Sequence, residues 1–496
     1  MKRLIVGAVC AGLLAFGARY ALSAAPSSGQ PSGQPSGQRM VVRAPATAKP
    51  DPEASLPGAK VFNELCAGCH GARGVGAEGP SLSDEYWIHG RSDADIAKAI
   101  RAGFPPQMAA FDLADSQVAD LIAYIRAAFV ATLVVDRSVQ SVPAGTLHSE
   151  AADFRVETVA KLMAPYAFVF MPDGRALITE TAGTLRIVDK GRLVEQAVEG
   201  IPIDTPLTGP GRRILNIALH PAYARTGWVY LTIAEPAPTV RAVRMRMVRG
   251  KIKNNRWTEH QILFECLTGE SSTARMAFDR EGYLFLMMGF SGNAYFGAPE
   301  DAPSLDLADP NGKILRMHDD GRVPADNPFV NVKGALGQVW SYGHRQSLGI
   351  AFDSKGVLWE SENGARGGDE INIIKKGANY GWPVVTWGHR YDSMPRSALP
   401  EMEGVEQPVV SWAPSPAVSA IAFYNGDAFP RWKGNLFVGS LKNRALYRIV
   451  LKDNRQVLQE EVLHGIDRIR DLGEGPDGRI YLLTDGGLFL RLSPVN

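Results

Sequence analysis

The chain has 496 residues, 45% of them apolar, with 53 Lys and Arg balancing 52 Asp and Glu. That length exceeds one compact core and predicts about two to three domains; the neutral balance excludes a non-specific nucleic-acid or polyanion binder. Only one apolar run approaches membrane length, which excludes a polytopic membrane protein, and four cysteines exclude a disulfide scaffold.

The first 25 residues combine a basic tip (Lys2, Arg3), an apolar stretch from Leu4 to Phe16 and small residues around Ala24 and Ala25. This is the layout of a secretory signal peptide, and it predicts a periplasmic or secreted protein with no membrane span after cleavage. Cys10 would leave with it. Residues 26–52 begin PSSGQPSGQPSGQ and bury nothing, so they read as a flexible tether.

Residues 53–130 form a predicted small helical domain. Within it Cys66-Ala-Gly-Cys69-His70 is a CxxCH motif, in which two thiols can form thioethers to one haem and the adjacent imidazole can ligate its iron. A zinc site would need a second Cys/His pair, and the remaining thiol, Cys266, lies far downstream. A second axial ligand is expected from Met108, in the Pro-rich segment Gly103–Phe111; His89 is the rival. Val118, Leu121, Ile122, Ile125 and Phe129 then fall at helical spacing. CAGCHG, Gly79-Pro80-Ser81-Leu82, MAAF and the closing LIAYIR together resemble a class I cytochrome c. The resemblance implies that the Pro80 carbonyl orients the axial imidazole.

After a linker at 131–152, residues 153–496 repeat one phrase six times: an apolar run, a polar turn with Gly, and alternating apolar residues. The turn glycines are Gly174, Gly227, Gly282, Gly356, Gly434 and Gly478, spaced 53, 55, 74, 78 and 44 residues apart. Six hairpin signals at near-blade spacing predict a six-bladed β-propeller, so the chain as a whole is mainly β with a small all-α domain in front. Propellers hold ligands on their axis with loops from several blades. Arg345, Lys442, Arg468 and Arg470 lie in such loops and could converge on an anion, Arg468 and Arg470 from one strand face. Each taken singly reads better as a solvated turn charge; as a set they are more suggestive.

MPDGRALITETAGTLRIV, NIALHPAY, GKILRMHDDGRVPADNPF, VWSYGHR, GGDEINIIKKGANYGWPVVTWG and RIRDLGEGPDGRIYLLTD resemble the glucose/sorbosone dehydrogenase family of soluble quinoproteins. The resemblance implies a propeller that binds pyrroloquinoline quinone (PQQ) and oxidises sugars, with a His as general base and a Ca²⁺ held partly by backbone carbonyls. It maps PQQ contacts onto Arg345, Gln346, Lys442, Arg468 and Arg470, and the Ca²⁺ carbonyls onto Gly364 and Ala365.

The pattern breaks at the centre of the site. Ser271 stands where the family has its His, which leaves the adjacent Glu270 as the nearest alternative base. Gly211 replaces a Gln, Gln346 an Asn, and Phe290 an Asp. A sugar dehydrogenase that tolerates losing the His is difficult to defend, since losing a general base costs about 10²–10⁴-fold, and two other readings follow. One is a PQQ enzyme with a rebuilt pocket, taking a sugar or related alcohol or aldehyde and passing electrons through haem c to a periplasmic acceptor. The other is a non-catalytic binding propeller that carries a cytochrome.

Overall fold

The structure, a computed structural model, describes residues 56–70, 82, 92–103, 108–127, 142–203, 214–237, 242–268, 273–289, 302–365, 367–388, 401–412 and 414–495. The predicted signal peptide and tether, Pro80, His89, Phe129, Gly211, Glu270, Ser271 and Phe290 fall outside them. No helix among the described residues is long and apolar enough to cross a membrane.

In the small domain a short helix, Pro57–Val61, runs through a wider π turn, Phe62–Cys66, into a last helical turn, Ala67–His70. The terminal helix, Asp115–Ile125, crosses it at Gly58, where a Cβ would lie 2.1 Å from the Asp120 carbonyl oxygen and 2.7 Å from Tyr124 Cβ. No residue but glycine permits that approach, which brings Phe62 and Tyr124 to 5.5 Å between ring centres. The expected face of the terminal helix, Val118, Leu121, Ile122 and Ile125, is buried. Between them lies the helix Asp93–Ala102. Ser92 Oγ accepts from the Asp95 N–H, while the Ser92 N–H donates to the Asp95 carboxylate, closing a capping box.

The remainder folds into six sheets. The inner strands, in chain order, are Pro165–Phe170, Ile214–Leu219, Thr273–Phe278, Gln346–Phe352, Val418–Phe423 and Ile469–Glu474; they open blades 1 to 6. Each pairs antiparallel with a second strand: Ala176–Glu180, Trp228–Pro236, Leu284–Gly289, Leu358–Asn363, Leu436–Ser440 and Ile480–Thr484. The six glycines of the sequence repeat all lie between a first and a second strand, with φ between +68° and +88°, a region costly for any other residue. Blade 6 completes itself with the N-terminal strand Asp153–Lys161, which pairs with Leu488–Pro494 from the end of the domain. The ring therefore closes on a non-local pairing and leaves little open sheet edge.

Cores lie between the blades, so both faces of a strand pack against neighbours. The strand Ala176–Glu180 is buried at every position, and so is Ile480–Thr484. Side chains also stitch adjacent inner strands: Thr273 Oγ1 donates to the Ser347 carbonyl at 2.5 Å and Ser419 Oγ to the Ile469 carbonyl at 2.6 Å.

Candidate functional site

Antiparallel pairing places the start of every inner strand beside the end of its second strand, so these ends share one face of the propeller. Gln346 pairs with Asn363 there, Val418 with Ser440, and Ile469 with Thr484. The predicted cations all belong to this face. Arg345 precedes the inner strand of blade 4; Lys442 follows the second strand of blade 5; Arg468 and Arg470 flank the entry to the inner strand of blade 6.

Sequence reasoning missed the carboxylate that organises them. Asp485, just beyond Ile480–Thr484, accepts from Arg468 Nε (2.8 Å), Arg470 Nε (2.7 Å) and Arg470 Nη2 (2.8 Å). Burial alone would raise its carboxyl, but the two guanidinium groups outweigh it and hold the group at about 2. Asp485 ends the last quoted motif, yet nothing local marks it as the shared partner of residues 15 and 17 positions upstream. Arg470 is 2% exposed and lies 5.2 Å from the Tyr166 ring centre. Lys442 is exposed and forms no ion pair among the described residues. Asp485 is shared by two of the four cations and Lys442 is exposed, an arrangement that suits a ligand with several carboxylates.

Blade 4 carries a different arrangement behind Arg345. The Arg345 N–H donates to Glu362 Oε2 at 3.2 Å, and Arg345 Nη1 donates to the carbonyls of Asn363 (2.6 Å) and Gly364 (3.0 Å). The Gly364 oxygen expected to face a Ca²⁺ therefore already accepts from a cation, with one lone pair remaining. Ala365 is buried. Asp369 fixes the turn by accepting from the Gly364 N–H (3.0 Å) and the Val418 N–H (2.9 Å), and burial pushes its carboxyl up to about 6.

Glu362, Glu360 and Glu370 share one face, because Glu362 pairs with Glu370 and Glu360 with Asn372. His344, Glu360 and Glu362 each bring one polar atom within 4.8 Å of the others. Burial, and then the charge of Glu362, push Glu360 and Glu370 well above the usual carboxylate range. Glu362 faces His344 Nδ1 at 3.4 Å and accepts from the Arg345 N–H. The alternation Trp-Glu-Ser-Glu-Asn reads in sequence as a wet strand face. It is dry here, because the preceding blade covers it: Leu358 of the same face packs with Phe285, Met287 and Ile314 of blade 3.

In the small domain, Cys66 is half-buried and His70, four residues on, is buried at the end of its turn. Cys69 belongs to the same turn, though its side chain lies outside the described residues. Gly103, at φ +61°, ends the preceding helix, and a Cβ there would sit 2.6 Å from the Met108 carbonyl oxygen and the Ala110 nitrogen. Glycine thus lets the Met108 segment fold back over the helix end. Two thiols, an imidazole and a thioether are the donor types that a covalently held, six-coordinate haem takes. Cys266 is half-buried and packs against the core of blades 1 to 3.

The comparisons agree with this division. Residues 162–491 match the family model described as Glucose / Sorbosone dehydrogenase, and residues 53–125 match that of Cytochrome C oxidase, cbb3-type, subunit III. The aldose sugar dehydrogenase of Escherichia coli K12 is 37% identical over 351 residues, covering 68% of this chain and 91% of that protein. The crystal structure of its soluble apo form aligns with a TM-score of 0.63 at 34% identity, over 69% of this chain and 100% of that one. A PQQ-bound aldose sugar dehydrogenase from Streptomyces coelicolor aligns at 0.55 and 28% identity, over 70% and 99%. The chain belongs to the glucose/sorbosone dehydrogenase family of oxidoreductases, its six-bladed propeller preceded by a cytochrome c domain.

Proposed function

We propose that the protein is an exported, PQQ-dependent dehydrogenase that oxidises a sugar or a related alcohol or aldehyde and delivers the electrons to its own haem c. One observation carries the reading: cations from three blades, Arg345, Lys442, Arg468 and Arg470, occupy one propeller face with Asp485 as the shared partner of two of them. PQQ, when bound, supplies the two-electron acceptor. Arg468, Arg470 and Lys442 bind its carboxylates, and Asp485 holds the two arginines in fixed planes so that little order is lost on binding. Gln346, on the edge of the same face, adds a polar contact. The carbonyls of Gly364 and Ala365 would give a Ca²⁺ two of the roughly six to eight oxygens it takes, the rest coming from the anion and water.

Cys66, Cys69, His70 and Met108 would hold haem c, which would supply a one-electron acceptor. A fused carrier suits this chemistry, since two electrons leave in single steps and the linker keeps the acceptor at high effective concentration. No proton acceptor is assigned. Asp485, Glu362 and Asp369 are each committed to holding a guanidinium or a backbone N–H, and Glu270 and Ser271 lie outside the described residues.

The test is an anaerobic titration of haem-loaded protein with PQQ and Ca²⁺, following the haem α-band across a panel of aldoses, alcohols and aldehydes. Reduction that requires PQQ and one substrate class supports the enzyme. PQQ binding without reduction by any substrate points to the binding propeller, the reading that Ser271 in place of a base favours. No PQQ binding overturns the proposal.

A further inference from the structure

Beneath Arg470 the axis of the propeller is crossed by a charge pair. Arg275 lies on the inner strand of blade 3 and Asp471 on that of blade 6, opposite it in a ring of six. Arg275 Nη1 donates to Asp471 Oδ1 at 2.6 Å, with side-chain exposures of only 7% and 8%. The second arm, Nη2, donates to the backbone carbonyl of Arg470 at 3.0 Å. Asp471 Oδ2 accepts from the Phe168 N–H of blade 1 at 2.9 Å, which fixes the carboxylate from a third direction. The Tyr166 ring, also from blade 1, has the guanidinium of Arg275 at 5.8 Å and that of Arg470 at 5.2 Å.

Cohesion alone does not account for this pair. Adjacent blades are already joined by the side-chain bonds from Thr273 and Ser419, and a buried ion pair is on balance no more stabilising than well-packed apolar residues of its size. What it provides is geometric: it holds one residue's backbone from directly across the ring. We propose that Arg275 and Asp471 are positioning residues. They fix the Arg470 backbone and, through Tyr166, the plane of its guanidinium, so that Arg470 meets the anionic cofactor already oriented. The inference rests on Arg470 being a PQQ contact, as read above.

The test replaces the pair by apolar residues, Arg275→Met with Asp471→Leu, so that no lone charge stays buried. PQQ affinity is read by equilibrium titration in the presence of Ca²⁺, and fold by circular dichroism and the thermal midpoint. We expect an unchanged or higher midpoint with affinity weakened at least tenfold; affinity within twofold of wild type overturns the inference. Should the double variant not fold, Arg275→Lys keeps the charge against Asp471 and removes the arm to the Arg470 carbonyl. An affinity loss of threefold or more is then expected, and wild-type affinity overturns the inference. Absence of PQQ binding by the wild-type protein is a separate result: it removes the functional reading and this inference with it.

Discussion

Blades 4 and 6 bury charge in opposite ways at the same propeller face. In blade 6 every buried ion has a partner of the other sign: Arg470 with Asp485, and Arg275 with Asp471. In blade 4 Glu360 and Glu362 lie close to His344, and Glu360 and Glu370 are pushed well above the usual carboxylate range by burial and by the charge of Glu362. Matched pairs make rigid cations and suit the display of charge to a ligand. A like-charge group stores protons instead, and its cost varies with pH. The difference makes blade 6 fragile to loss of one partner and blade 4 fragile to alkali.

The sharpest way to break the comparison is Asp485→Ala. It strands Arg470, the side chain of which is 2% exposed, without its partner. Breaking a buried pair costs about 3–5 kcal/mol. We expect the low end, about 3 kcal/mol by urea unfolding, because the Asp485 side chain is 29% exposed. A loss below about 1 kcal/mol would mean that water already supports Arg470.

Glu360→Gln probes blade 4, with a sign set by linkage. A folded-state value raised above the ordinary 4.5 means that the proton favours the folded state. That stability is fully present below pH 4.5 and drains away as pH rises toward the folded value. Glutamine keeps the shape without the proton, so the variant should match wild type near pH 4 and gain on it by about 1.4 kcal/mol for each pH unit above, until the folded value is passed. Denaturation at pH 4 and pH 8 checks this; parallel curves would show that Glu360 is already ionised.

Lys313 extends the comparison to a lone cation. Its ammonium is surrounded by three carbonyls, those of Pro303 (2.7 Å), Ser304 (2.9 Å) and Asn311 (2.9 Å), and burial pushes it down to about 7. A depressed value gives the opposite slope to Glu360: its contribution is complete above the ordinary 10.5 and fades as pH falls toward 7. Wild type should therefore gain on Lys313→Met between pH 7 and 10, by up to about 1.4 kcal/mol for each unit. A flat difference would show that the three carbonyls keep the amine charged throughout.

What the sequence discloses follows from how local the signal is. The six turns were legible because each rests on one glycine that must adopt positive φ. CxxCH was legible because its donors lie within five residues, and the four cations because they fall in loops of a repeat already recognised. The partners were not. Arg275 and Asp471 stand 196 residues apart and meet only because six blades place them across an axis. Glu360 and Glu362 alternate with Trp359, Ser361 and Asn363 as on a wet strand, and only the ring, which covers both faces of a blade, makes that face dry.

Lys442 offers the smallest structural effect and for that reason separates binding from folding. It is exposed, and among the described residues it forms no ion pair, so Lys442→Ala should change stability by less than about 0.5 kcal/mol. The partnered arginines of blade 6 cannot be removed so cleanly, since each loss takes from Asp485 one of its two cations. If Lys442 meets a carboxylate of the cofactor, its removal should weaken PQQ binding by about tenfold, the worth of one charge-assisted contact of about 1.4 kcal/mol. It should also flatten the salt dependence of binding, since an exposed charge is the one most screened. Unchanged affinity with an unchanged salt slope would leave Lys442 as a solvated turn charge and confine the anion to the paired arginines of blade 6 and to Arg345.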